Sequence, residues 1–356
     1  MHPIEEFKVD GSHYDVGFAI GSHFAAAIHR FFDHYDLLQH HLLPFYRTSA
    51  GKSCYQSYLT AHRNSFPGYL AELEGIAAGA GRPLDEIFLV NLRGELSGLL
   101  PNGPPDADAS PGAGQGCTDC LVATAAAALI GHNEDGTPAS LGYMFLVTVS
   151  VDDQPTFSAL CYPGFLPGNA FGFNAAGVMH TVNHVAPRPV EIGLSRHFLA
   201  RSLLDAHSLD EAIRNVTVHG RASGFNYNIG SLAERRVVSV EVAPHRHHVR
   251  EIQDYYVHTN HYFEMSGQQQ QISPSSRIRL ERARNLCRAT PPVNANHVLA
   301  LLGNQTDRDY PIYRDAAPPD ADATLCSALF DLDQRHLIVY WDDPAKRPEN
   351  SVRLSL

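Results

Sequence analysis

Gly114-Gln115-Gly116-Cys117-Thr118-Asp119-Cys120-Leu121-Val122-Ala123-Thr124 decides how the rest of the chain is read. A Gly- and Pro-rich run from Pro101 to Gly114 leads into it, and an apolar run through Leu129 and Ile130 follows. A linker without periodicity, residues 101–116, therefore ends at a cysteine that opens a buried-looking strand. That layout suits a chain that cuts itself before Cys117. The new N-terminal residue would carry a thiol nucleophile and, in its own free α-amine, the base that activates it. No distant histidine is then needed.

Outward from this stretch, composition narrows the classes. The 356 residues, 44% hydrophobic, suffice for one large or two small domains with a sizeable core. A net charge of −11, with no block of like charge, argues against nucleic-acid binding, which needs clustered Lys and Arg. The acidic start Met1-His2-Pro3-Ile4-Glu5-Glu6 has no apolar core, so no leader peptide is expected. No run of about 18 apolar residues is present to span a membrane. The expectation is a cytoplasmic protein without a membrane partner, whose oligomeric state is left open, a homodimer included.

In that setting Cys54, Cys117, Cys120, Cys161, Cys287 and Cys326 should be reduced thiols. Cys117 and Cys120 form a C-x-x-C. The redox version of that motif needs a helix after the first cysteine. The zinc version needs a second ligand pair, which His245, His247 and His248 in their mixed basic stretch do not supply. No metal or cofactor is expected.

The N-terminal part reads as helical. Tyr14–Phe32 has helical apolar spacing, with Gly17 and Gly21 suited to close packing; Tyr69 begins a second helix that ends near Gly79 or Gly81, and Pro83 opens a third reaching about Leu100. After Cys117 strands are expected from Leu121 to Gly131, Tyr143 to Val151, Phe157 to Tyr162 and Val178 to Val182. Glu134-Asp135-Gly136 is read as a turn. Helices follow over Ser195–Ala206 and from Leu209, then strands at Asn226–Ser231, Val237–Val242 and Tyr255–Val257, a helix over Arg277–Leu286, and a closing hairpin of Leu325–Leu332 with His336–Trp341. This order predicts a layered α/β architecture with mainly antiparallel sheets.

These motifs, in this order, resemble the acyltransferase family typified by isopenicillin-N acyltransferase, which also includes an insect β-alanyl-amine hydrolase. The likeness rests on Val16-Gly17-Phe18-Ala19-Ile20-Gly21, on the helix end Glu72 to Gly81, and on Asn91 with Glu95. It continues through Gly116-Cys117-Thr118, Asn133-Glu134-Asp135, Gly172 to Val178, and His258-Thr259-Asn260-His261-Tyr262. Such proteins are cysteine-type N-terminal-nucleophile (Ntn) hydrolases. The resemblance implies an α+β, four-layer αββα sandwich with an N-terminal helical segment, self-cleaved before the nucleophile. Residues 1–116 and 117–356 would stay associated as one domain. The long Pro/Gly/Ala-rich linker and the nearby thiol of Cys120 depart from the family pattern.

The residues then take roles. Cys117 is the expected nucleophile, with Gly116–Cys117 as the cleavage site. Asp135, eighteen positions on, would be returned by a hairpin to orient the Cys117 amine. Asn260 is the expected oxyanion donor, with Asn183 as a second candidate. Ser275-Ser276-Arg277-Ile278-Arg279 is similar to a segment of the related bile-salt hydrolases, which nominates Arg279, or failing that Arg277, to lie near the thiol. His258 and His261 are the alternative bases of a Cys–His arrangement.

The resulting expectation is a self-processing amidohydrolase acting on a small N-acyl amide. Its alternatives are an acyltransferase moving an acyl group from a coenzyme A thioester or an amide to an amine, and an uncleaved binding or scaffold protein using its 21 histidines.

Overall fold

The computed structural model describes residues 3–100 and 115–356. The expected linker lies, but for its last two residues, outside the described residues.

The acidic start supplies a strand, β1 (Glu5–Gly11), that no sequence pattern announced. Helices α1 (His13–His23), α2 (Ala25–His34), α3 (Leu43–Tyr46), α4 (Ser49–Ser65), α5 (Pro67–Ala80), α6 (Leu84–Asn91) and α7 (Arg93–Leu99) follow. Ser12 and Asp15 cap α1 reciprocally. Gly17 and Gly21 let α1 lie directly on α5: a Cβ there would come within 2.0 Å of the Glu72 carbonyl and 2.4 Å of the Ile76 carbonyl. Helix α5 stops at Gly81, whose φ of +65° suits glycine. The single helix expected over Tyr14–Phe32 is two, broken at Phe24 where its ring stacks 3.5 Å from that of Phe145. The helix expected from Pro83 to Leu100 breaks at Leu92.

Past the linker the chain builds β2 (Gln115–Ala123), β3 (Ala128–Gly136), β4 (Phe145–Val151), β5 (Phe157–Cys161), β6 (Phe171–Asn174), β7 (Val178–His184) and the short β8 (Ala186–Pro187). Helices α8 (Arg196–Leu203) and α9 (Leu209–Thr217) precede β9 (Phe225–Ser231), β10 (Arg236–Val242), β11 (His247–Glu251), β12 (Tyr255–His258) and β13 (Gln270–Gln271). Then come α10 (Pro274–Ala289), α11 (Ala295–Leu302), β14 (Ala323–Asp331), β15 (His336–Tyr340) and β16 (Ser351–Ser355).

Eight strands order as β1-β4-β5-β6-β7-β9-β10-β11, and six as β12-β2-β3-β14-β15-β16; β8 and β13 form a separate ribbon. The β1–β4 pairing is parallel and the rest are antiparallel. Helices α8 and α9 cover the outer face of the larger sheet over Leu199, Leu203, Leu209, Tyr227 and Val240. Helices α10 and α11 cover the smaller sheet over Leu129, Leu280, Val298 and Leu329. Leu121, Ile130, Met179 and Phe330 fill the space between the sheets. These are the four layers of the αββα sandwich.

The expected strands are also corrected locally. The strand read as Leu121–Gly131 is two strands with their turn at residues 124–127, and Glu134-Asp135-Gly136 is not a turn but the end of β3. The hairpin expected to close the chain gains a further strand, β16.

Candidate active site

Strands β2 and β3 build the centre of the site. Their register sets Gly116 opposite Asp135, Cys117 opposite Glu134, Thr118 opposite Asn133 and Asp119 opposite His132. Side chains alternate along a strand. Cys117 and Asp119 therefore share the face turned to the larger sheet, while Thr118 points at α10. Cys117 is buried, at 5% exposure.

The backbone of Cys117 is gripped from the other side. Arg279, buried on α10, donates from Nη1 to the Cys117 carbonyl at 2.7 Å and to Thr118 Oγ1 at 2.7 Å. Its Nη2 donates to Asn260 Oδ1 at 2.6 Å, and its Nε to Ser275 Oγ at 3.0 Å. Asn260 Oδ1 also accepts the Cys117 N–H at 3.1 Å. Two donors on one atom identify it as the amide oxygen. The amide Nδ2 donates to the His184 carbonyl at 3.1 Å with one of its two N–H groups. Asn260 itself is held by its backbone N–H donating to Ser276 Oγ at 2.8 Å. Arg277 is exposed on α10, so the geometry selects Arg279 of the two.

Asp135 lies beside the bond that precedes the thiol. Its Oδ1 accepts from Thr324 Oγ1 at 2.7 Å, and its Oδ2 lies 3.7 Å from Arg314 Nη1 and 3.9 Å from Arg279 Nη1. Burial pushes its pKa up to about 6, against the pull of Arg314 and Arg279. Arg314 is held in turn by Asp320, with Nε donating to Oδ2 at 2.8 Å, and by Asp322 at 2.8 Å.

A chain of polar groups fills the inter-sheet face next to the thiol. Asp119 Oδ2 is 2.9 Å from His132 Nδ1, His132 Nε2 is 3.0 Å from Glu134 Oε2, and Glu134 Oε2 is 3.9 Å from Cys117 Sγ. Tyr162 donates to Glu134 Oε1 at 2.5 Å. Burial opposes a charge on His132, yet the Asp119 and Glu134 carboxylates outweigh it and raise the pKa to about 10, so the imidazole is protonated. Burial, reinforced by the charges of Glu134, Asp119 and Asp135, holds the Cys117 thiol well above the ordinary range. Among the described residues, Cys117, His132 and Glu134 bring donor atoms within 4.8 Å of one another and could hold a metal ion. In this arrangement His132 already bridges two carboxylates with its protons.

The other nominated residues lie apart from the thiol's contacts. Asn183 donates to Asp119 Oδ2 and accepts from Asn226 at 3.0 Å and Asn228 at 3.1 Å. His258 meets Glu241 at 3.3 Å and His261 meets Ser276 Oγ at 2.7 Å. Cys120 turns to the helix side and interacts with Cys287 of α10. Sequence reasoning missed Glu134, His132, Asp119, Thr324 and Arg314. Positions 117, 119, 132 and 134 are same-face neighbours once the hairpin turn is placed at 124–127, so period two could have found the first three. Nothing local marks Thr324 or Arg314.

Beside the Gly116–Cys117 bond opens a cavity of about 380 Å³, lined by Gly116, Asn260, Arg279, Arg314, Asp320 and Asp322 among others. Among the described residues no helix is long and apolar enough to cross a membrane.

A buried thiol on a strand end, with amide and guanidinium groups on its backbone, within an αββα sandwich, is the setting of an enzyme of the amidohydrolase and acyltransferase class. The chain belongs to the family of the acyl-coenzyme A:6-aminopenicillanic acid acyl-transferase, whose model matches residues 122–346. It is 29% identical over 372 residues to the β-alanyl-dopamine/carcinine hydrolase of Drosophila melanogaster, covering 97% of this chain and 94% of that one. It is 29% identical over 205 residues to the 40 kDa acyl-coenzyme A:6-aminopenicillanic-acid-acyltransferase of Emericella nidulans, covering 56% of this chain and 53% of that one. Among solved structures it is similar to the Caenorhabditis elegans N-acylethanolamine-hydrolyzing acid amidase ortholog, with 13% identity and a TM-score of 0.43 over 67% of this chain and 100% of that chain.

Proposed function

We propose that the chain cuts itself between Gly116 and Cys117 and that the mature enzyme hydrolyses small N-acyl amides through a Cys117 thioester. Residues 1–116 and 117–356 then remain one domain. The observation that carries this reading is the setting of the Gly116–Cys117 peptide. Its nitrogen is bonded to Asn260 Oδ1, its thiol-bearing residue is clasped by Arg279, and Asp135 faces Gly116 across the hairpin.

In maturation Sγ attacks the Gly116 carbonyl carbon, the bond to the Cys117 nitrogen breaks, and the thiol proton ends on that nitrogen. Water then cleaves the thioester and leaves Gly116 as a carboxylate. In turnover the freed α-amine takes the thiol proton, Sγ attacks the substrate carbonyl, and the proton leaves with the substrate's amine. Water, deprotonated by the α-amine, releases the acid. Asn260 keeps the Cys117 nitrogen in place with Oδ1 and offers its second N–H to the oxyanion. Asp135 orients the amine, and Arg279 holds the strand end.

Similarity to a hydrolase of a β-alanyl amide across 97% of the chain favours N-β-alanyl amides with water as acceptor. Transfer to an amine is the second reading, favoured by the matched family's acyltransferase description. A cytoplasmic setting accompanies either, since six unpaired thiols suit a reducing compartment.

Denaturing electrophoresis and intact mass test the cleavage, with fragments of about 13 and about 26 kDa expected from chain length. A panel of N-acyl amides, with and without amine acceptors, tests the reaction. An active, uncleaved chain would sink the free-amine mechanism.

A further inference from the structure

Both reactions of Cys117 pass through the same kind of covalent state. In maturation the acyl group on Sγ is that of Gly116; in turnover it is the substrate's. The surroundings of the Gly116 α-carbon therefore describe the space open to the substrate's α-carbon.

That space is closed on one side. A Cβ built at Gly116 in the L position would lie 2.2 Å from Arg314 Nη1 and 3.3 Å from Asp135 Cβ. Carbon contacts are comfortable only at about 3.5–4.0 Å. A flexible arginine could swing away, but this one is tied down. Its Nε donates to Asp320 at 2.8 Å, its Nη2 to Asp320 and to Asp322, and its backbone N–H to Thr324 Oγ1 at 2.8 Å. Thr324 also donates to Asp135, so the two groups that crowd Gly116 share a support. The Arg314 side chain is 4% exposed. The 380 Å³ cavity that Gly116 lines together with Asn260, Arg279 and the Arg314 clamp gives an unbranched acyl chain room to extend past the guanidinium.

We infer that Cys117 takes acyl groups whose α-carbon is an unsubstituted methylene, and that Arg314, clamped by Asp320 and Asp322, refuses an α-substituent in the L-Cβ position. This rests on Cys117 being the acylated nucleophile. It makes the enzyme selective for linear acyl amides such as 3-aminopropanoyl amides, and against L-α-aminoacyl amides other than glycyl. Arg314 is thus a specificity-determining residue.

The test is a minimal pair: 3-aminopropanoyl and 3-amino-2-methylpropanoyl amides of one aromatic amine, the second as separate enantiomers. Amine release gives kcat/KM, and acid quench with intact mass gives the acyl adduct on the 117–356 fragment. The enantiomer whose methyl takes the L-Cβ place should react about 10²-fold more slowly than the unsubstituted amide. In Arg314→Lys, which keeps the charge but lacks Nη1, that ratio should fall several-fold whatever the variant's absolute rate. Self-cleavage supplies a second readout: Gly116→Ala should slow it by a similar factor, and adding Arg314→Lys should restore part of it. Equal rates for the methylated and unsubstituted amides, or cleavage of Gly116→Ala at the unaltered rate, overturns the α-carbon rule and leaves the nucleophile standing. No adduct on Cys117 from any member overturns the nucleophile reading itself.

Discussion

The Cys117 thiol lies 3.9 Å from the carboxylate of Glu134, its register partner on β3. In the uncut chain the Cys117 nitrogen is a peptide amide and cannot act as a base, whereas Glu134 can receive the thiol proton. Glu134→Gln should therefore slow self-cleavage by about 10²–10⁴-fold, the usual contribution of a placed general base, with Glu134→Asp intermediate. Timed intact-mass measurements of freshly expressed protein check it. Cleavage of Glu134→Gln at the ordinary rate would assign Glu134 to packing alone.

The two candidate asparagines should separate by phenotype. Asn260→Ala should reduce kcat by about 10²–10³-fold, with a smaller change in KM, because an oxyanion donor acts mainly in the transition state. It should also slow maturation, since Oδ1 is what holds the Cys117 nitrogen. Asn183→Ala removes hydrogen bonds to Asp119, Asn226 and Asn228 and should cost about 1–3 kcal/mol of stability with a smaller loss of kcat. Rates normalised by titration of cleaved Cys117, alongside urea midpoints, distinguish them. Near-normal kcat in Asn260→Ala would remove it from the site.

The pH dependence follows from Asp135. With a pKa of about 6, it is about 90% ionised at pH 7 and about 10% at pH 5, so cleavage that needs its carboxylate should fall about tenfold over that interval. The stability effect has the opposite sign. A folded pKa raised above the ordinary value means that protonation favours the fold: this contribution is full below 3.8 and is lost as pH rises through about 6. The acid limb of activity should therefore appear without an Asp135-driven loss of Tm, and should be missing from the residual rate of Asp135→Asn. Parallel cleavage assays and thermal melts from pH 4.5 to 8 check both signs.

The fragments left by cleavage should not separate. Strand β1 stays paired with β4 inside the larger sheet. Glu72 on α5 accepts from buried Arg201 on α8 at 3.1 and 2.7 Å. Arg201 keeps Asp205 at 2.7 Å when Glu72 is removed, so Glu72→Ala should destabilise the assembly by about 1–3 kcal/mol, less than a fully stranded charge would cost. Size-exclusion chromatography of cleaved protein should show both fragments in one peak, and the urea midpoint of Glu72→Ala should drop. Free 117–356 in the unaltered enzyme would contradict this.

What the chain announces by itself is whatever its neighbours in sequence decide. The close packing of Gly17 and Gly21, the stop of α5 at Gly81 and the start of a strand around Cys117, which opens two residues earlier at Gln115, all depend on local dihedrals and short periods. The layered architecture with mainly antiparallel sheets followed from their order, and the αββα class from the family resemblance. Asn133-Glu134-Asp135-Gly136 shows where this stops. Its composition is that of a turn, yet it is buried strand. Asn133 donates to the carbonyls of Leu302 and Ile312, Glu134 is held by His132 and Tyr162, and Asp135 by Thr324. Polar side chains favour turns only while water or their own backbone satisfies them; partners more than a hundred residues away satisfy Asn133 and Asp135 equally well. The same reason hides Arg314. Its closeness to Gly116 comes from strand register and from the clamp of Asp320 and Asp322. No local pattern encodes it, and only the folded chain brings those residues together.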